Sequence, residues 1–219
     1  MHIFIDSADP QQIRTAWEWG RIDGVTTNPS LVASLGRPYR DVVFEILSFM
    51  TGPLSLEVVA TDYETMLQQA RALSSLSHRV VVKIPCTTEG LAVVKVLSNQ
   101  GIKTNVTLVF SLSQALLAAK AGATYCSVFL GRLEDVAEHS GDEMIAQVRT
   151  AFDDQKITTQ LLAASIRSEE HFEQAALMGA DCISAPFPVI ERLIRHQLTD
   201  VGLQRFLDDW QRSGLEFPA

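Results

Sequence analysis

Eight short runs rich in β-branched and aliphatic residues recur along the chain, separated by longer stretches of helical period. The runs are His2–Asp6, Gly24–Asn28, Leu54–Val59, Arg79–Pro85, Lys103–Val109, Tyr125–Leu130, Thr159–Ser165 and Cys182–Pro186. The amphipathic stretches between them include Asp62–Leu76, Thr88–Gln100, Ser111–Ala121, Asp142–Gln155 and Ser168–Met178. Near-continuous apolar strands need cover on both faces, and alternating helices supply it. Eight such units in 219 residues predict a compact α/β fold, a (β/α)8 TIM barrel. No Pro/Ser-rich linker or composition break interrupts the pattern, so residues 1–219 are expected to form a single domain. A last amphipathic piece, Asp200–Arg212, predicts an extra C-terminal helix covering the barrel or a neighbouring subunit, with 200–219 as helix and tail. Asp9-Pro10 reads as an N-cap followed by proline at the first helical position, and Gly101, Gly122 and Gly179 as left-handed helix ends.

Alternate strand side chains point to opposite faces, so parity sorts inside from outside. In Val80-Val81-Val82-Lys83-Ile84-Pro85, Val80, Val82 and Ile84 form an all-apolar set suited to packing outward against helices. That leaves Lys83 facing the barrel interior. The same sorting turns Asp6, Glu57, Thr26, Asn28, Asn105, Thr107, Ser127 and Phe129 inward, opposite neighbours such as Ile5, Leu56, Val25, Val106, Leu108 and Val128. Each inward polar group lies late in its strand, and active sites of such barrels form at the C-terminal mouth.

Burying an ammonium is costly, so an interior lysine is either paired with a carboxylate or used as a nucleophile toward a carbonyl. A desolvated amine that attacks a ketone forms a Schiff base, whose iminium is an electron sink for making or breaking an adjacent C–C bond. Such chemistry needs a proton shuttle, and Asp6 and Glu57 are the inward carboxylates; either is alternatively a structural counter-ion. Asn28, Asn105, Thr107 and Ser127 suit substrate hydroxyls, or else cap strand ends and turns. Arg132 and Arg167 follow two strand ends, with Ser165 beside the second, and their planar forks match a phosphate monoester.

Other classes find no support. A net charge of −8 argues against nucleic acid or an anionic membrane as main partner. No apolar run approaches the ~18–20 residues needed to span a bilayer, and the start of the chain lacks a basic leader-like segment. Cys86, Cys126 and Cys182 are widely spaced, and His2, His78, His139, His171 and His196 show no ligand spacing. A reduced, cytoplasmic, metal-free and cofactor-free protein is expected. Neither GxGxxG nor GxxxxGK[ST] is present, so nucleotide cofactors have no cradle. The acidic stretch Glu134, Asp135, Glu138, Asp142 and Glu143 lacks EF-hand spacing and reads as a solvated loop with a helix start. Trp17, Trp19 and Trp210 fall in predicted helices and read as packing residues.

With those residues in view, the chain resembles the transaldolase family. The resemblance is carried by Ile5-Asp6-Ser7-Ala8, Gly24-Val25-Thr26-Thr27-Asn28-Pro29-Ser30 and Val82-Lys83-Ile84-Pro85. It continues in Lys103–Ser111 with Gln114-Ala115, in Gly131-Arg132-Leu133 and in Ala163-Ala164-Ser165-Ile166-Arg167. It runs from about Phe4 to Trp210, and the length is similar to that of the short transaldolases, a subgroup shared with fructose-6-phosphate aldolase. The resemblance implies a class I enzyme of the pentose phosphate pathway that moves a dihydroxyacetone unit from fructose 6-phosphate to erythrose 4-phosphate. By position, Lys83 resembles the Schiff-base lysine, and Glu57 and Asp6 the acid/base carboxylates that work with a bound water. Asn28, Asn105 and Ser127 would hold the dihydroxyacetone moiety, with Thr107 beside the water. Arg132, Ser165 and Arg167 would bind the acceptor's phosphate. A homo-oligomer, a pentamer or a decamer of stacked rings, is also implied.

Two positions separate transferase from aldolase within the family. The aldolases carry glutamine where Glu57 stands and tyrosine where Phe129 stands, so both positions match the transaldolases. Val128 departs from the family's usual proline; parity puts it outward, where a small strand shift is expected. Fructose-6-phosphate aldolase is the alternative enzyme, and a catalytically silent sugar-phosphate-binding barrel the alternative of another class.

Overall fold

The computed structural model describes residues 1–135 and 141–218. Eight parallel strands close into a barrel in sequence order, β1 pairing with both β2 and β8. They are β1 (His2–Asp6), β2 (Gly24–Thr26), β3 (Leu54–Glu57), β4 (Val80–Pro85), β5 (Thr104–Val109), β6 (Tyr125–Phe129), β7 (Gln160–Ala164) and β8 (Cys182–Ala185). The first helices are α1 (Pro10–Glu18), α2 (Pro29–Ser34), α3 (Tyr39–Phe49), α4 (Tyr63–Ser74) and α5 (Thr88–Asn99). Then come α6 (Leu112–Ala121), α7 (Leu130–Asp135), α8 (Gly141–Asp154), α9 (Glu169–Leu177), α10 (Phe187–Arg192) and α11 (Gln197–Ser213). The expected (β/α)8 barrel with an added C-terminal helix is therefore present.

Local signals explain where the helices begin. Asp9, Asn28, Asp62, Thr87, Ser111 and Ser168 each accept a backbone N–H of the helix that follows, satisfying a donor that the helix itself leaves open. Gly122 ends α6 at φ +92°, a left-handed conformation that glycine adopts without a Cβ clash. The outward strand set, including Val80, Val82 and Ile84, joins the helices in one apolar layer. The interior holds a smaller apolar group, Phe4, Leu162, Ala164 and Cys182, with the Phe4 and Tyr125 rings edge to face at 5.8 Å. That plug fills the barrel beneath the polar residues that end the strands. Register sets those polar residues side by side, with Glu57 opposite Lys83, Lys83 opposite Asn105 and Asp6 opposite Thr26.

Several expectations need correction. β2 ends at Thr26, so Asn28 is not a strand residue but the N-cap of α2. Leu108 was expected to face outward, yet it lines the interior mouth: its φ is +58° and the β5–β6 register shifts between Val106 and Val109. Such a bulge breaks the two-residue alternation on which parity depends. Trp19 lies just past the end of α1, stacked on Phe187 at 5.8 Å, and Trp210 is 43% exposed. The C-terminal helix begins at Gln197, before Asp200, and none of its residues is buried, so it does not cover its own barrel. Glu138 and His139, and the side chains of Glu134 and Asp142, lie outside the described residues.

Candidate active site

The C-terminal mouth of the barrel holds a cavity of about 550 Å³. Lys83 rises into it from β4 with only 4% of its surface exposed. Its Nζ donates to the Thr27 carbonyl at 2.9 Å and stands 3.0 Å from Glu57 Oε2. A carboxylate at that distance both stabilises the ammonium and offers to take its proton, which must leave before the amine can attack.

Asp6 comes from β1 and accepts the Thr26 hydroxyl at 3.0 Å; that hydroxyl also meets Ser184 Oγ at 2.6 Å. Burial pushes the Asp6 carboxyl above its ordinary value, while the Lys83 charge and the Thr26 hydrogen bond pull it back down. A carboxyl that retains its proton to higher pH suits acid–base work near neutrality. Two carboxylates, on β1 and β3, thus sit in different environments, one paired to the amine and one lifted by burial. Tyr39 adds a further group: burial, with the Glu57 charge, pushes its phenol up to about 12, so it remains protonated.

Neutral polar groups complete the wall. Thr107 Oγ1 is buried with no protein partner in the described structure, although its residue lines the cavity. A hydroxyl in that condition calls for a water or a ligand. Ser127 also lines the cavity and donates to Asn105 Oδ1 at 2.7 Å. Asn105 is fully buried beneath it, its Nδ2 bonded to Ser55 Oγ at 3.3 Å, and does not itself line the cavity. Asn28 does line it, but its Oδ1 is taken by the Leu31 N–H, leaving the amide nitrogen for a ligand.

At the rim, Phe129 packs edge to face on Phe110 at 5.6 Å, and the Arg132 guanidinium lies 5.4 Å from the Phe129 ring. Ser165 faces the cavity with φ +62°, an uncommon conformation for a residue with a side chain. Arg167 stands apart from the cavity, its fork closed on Asp135 at 2.6 and 2.5 Å. Ser184, Ser30, Leu31 and Leu108 also line the cavity and were not foreseen. Ser184 shares the inward parity of Cys182 on its strand, so it was findable. No group of three or more His, Cys, Asp and Glu suited to hold a metal ion exists among the described residues.

Comparison with known proteins gives one consistent result. The family model described as Transaldolase/Fructose-6-phosphate aldolase matches residues 3–216. A probable transaldolase of Aquifex aeolicus is 50% identical over 212 residues, covering 97% of both chains. One from Coprothermobacter proteolyticus is 51% identical over 212 residues with 97% coverage of each, and one from Caldicellulosiruptor saccharolyticus 51% over 213 residues, with 97% of this chain and 98% of its own covered.

Proposed function

Because this chain belongs to the transaldolase/fructose-6-phosphate aldolase family, we propose that it is a class I transaldolase that carries a dihydroxyacetone unit between sugar phosphates. The observation that carries the proposal is the Lys83 amine, buried and 3.0 Å from Glu57 in a cavity that also holds the raised Asp6 carboxyl. Glu57 takes a proton from the ammonium, and the neutral amine attacks the C2 ketone of fructose 6-phosphate. Loss of water gives the iminium; Asp6 then accepts the C4 hydroxyl proton as the C3–C4 bond breaks and glyceraldehyde 3-phosphate leaves. The enamine left on Lys83 attacks the aldehyde of erythrose 4-phosphate, and hydrolysis releases sedoheptulose 7-phosphate. Thr107 holds the water that relays protons; Ser127 and Asn28 hold the three-carbon unit, with Asn105 orienting Ser127 from below. Thr26 fixes Asp6, and Arg132, Ser165 and Arg167 serve the phosphate.

Phe129 presents no hydroxyl to that water, and Glu57 stands where the aldolases carry glutamine, which favours transfer over release of free dihydroxyacetone. The test is glyceraldehyde 3-phosphate release from fructose 6-phosphate with and without erythrose 4-phosphate. Release that requires the acceptor is expected. Release at the same rate without it makes the protein an aldolase, and no release in either case removes both.

The same reading treats the chain as one cytoplasmic barrel domain without metal or cofactor, working in the pentose phosphate pathway. No helix among the described residues is long and apolar enough to cross a membrane. It also supplies a partner for α11, which carries Leu203, Phe206, Leu207 and Trp210 at exposures between 43% and 72%. Such a stripe is stable in water when a second copy covers it, so the protein is proposed to be a homo-oligomer, a pentamer or decamer. Truncation after Asp200 is expected to shrink the assembly mass in light scattering; an unchanged mass contradicts the role given to α11.

A further inference from the structure

The Arg167 side chain lies flat across Gly131, where an added Cβ would stand 2.9 Å from its Nε, 3.1 Å from its Cδ and 2.4 Å from the Ser165 carbonyl. Glycine at this position is what lets the arginine reach Asp135, the last residue of α7. There Nη1 and Nη2 donate end-on to the two carboxylate oxygens at 2.6 and 2.5 Å. Arg132, one turn earlier on α7, and Ser165, two residues before Arg167, both line the cavity. The guanidinium is therefore held beside the rim but turned from it.

We propose that Asp135 is a specificity-determining residue, a carboxylate that occupies the Arg167 fork while the site is empty and yields it to the phosphate of an arriving sugar phosphate. The inference rests on the sugar-phosphate reading above. Carboxylate and phosphate oxygens fit the same planar fork, so one exchanges for the other without a new geometry. A phosphate monoester carries about −1.5 to −2 near neutrality against the single charge of Asp135, so phosphate prevails within reach. The pair is also loosely held, its side chains 46% and 57% exposed, which keeps the exchange cheap. An uncharged sugar has nothing with which to displace Asp135, and Arg167 stays masked. Asp135 thereby sets the size of the preference for phosphorylated over neutral substrates, holding it below what a bare Arg167 would give.

The test is calorimetric titration of inorganic phosphate into the parent, Asp135→Asn, Arg167→Gln and the double variant. Asp135→Asn is expected to bind phosphate a few-fold tighter and Arg167→Gln more weakly, and in the double variant the gain from losing Asp135 should vanish. In turnover, Asp135→Asn should lower KM for erythrose 4-phosphate relative to KM for erythrose. Phosphate binding that is unchanged or weaker in Asp135→Asn overturns the proposal. So does an equal gain in the Arg167→Gln background, which would mark a general loss of negative charge. The titration needs no turnover, so failure of the transaldolase assay and failure of this exchange are separate results.

Discussion

Lys83→Met is expected to abolish sugar transfer, lowering kcat by a factor on the order of 10⁴ or more, because no other lysine lines the cavity among the described residues. Methionine keeps much of the lysine's length and fills its path between β3 and β5, so the barrel should still close. The change nevertheless removes the cation 3.0 Å from Glu57, a carboxylate whose side chain is only 13% exposed. Breaking a buried pair from one side costs roughly 3 kcal/mol, since the remaining charge is left without a partner. Thermal unfolding of the variant should therefore fall below that of the parent at neutral pH. Full activity in Lys83→Met would remove the nucleophile from the account.

Asp6→Asn should also lose activity, but with the imine retained and with the opposite effect on stability. Loss of the proton acceptor at C4 is expected to lower kcat by about 10²- to 10⁴-fold, with the imine still formed and still reducible. Stability should rise. Burial lifts the Asp6 carboxyl in the folded protein, with the Lys83 charge and the Thr26 hydrogen bond only partly offsetting it. The folded state then binds that proton more tightly than the unfolded chain does. The associated stability is complete below about pH 3.9, the ordinary aspartate value, and is lost as pH rises through the raised folded value. Asparagine carries no such penalty, so the variant should melt higher than the parent at neutral pH, the difference closing toward acid pH. A variant that is both inactive and less stable at neutral pH would mean that Asp6 serves chiefly as the counter-ion of Lys83.

The barrel, and the inward course of Lys83, Glu57 and Asp6, could be read from the chain because strand alternation is a property of local geometry and hydrophobic pattern. What alternation cannot see is a change of backbone conformation. Leu108 turned inward because the chain takes φ +58° there, and Asn28 reached the cavity as a helix cap after its strand had ended. Arg167 was expected at the phosphate, but the fork is closed on Asp135, a partner 32 residues away that only the packed structure brings near. Tyr39 gave no signal, since its position follows from how α3 docks near Glu57 and not from any periodicity. The exposed face of α11 was legible as amphipathic, yet which body it covers is not a property of one chain.

The central claim is that Lys83 carries the substrate as an imine. Borohydride reduction in the presence of fructose 6-phosphate, followed by peptide mass analysis, tests it directly. The account predicts irreversible inactivation with one dihydroxyacetone-derived adduct on Lys83, absent from Lys83→Met and present in Asp6→Asn. An active enzyme without an adduct, or an adduct on another lysine, would contradict it.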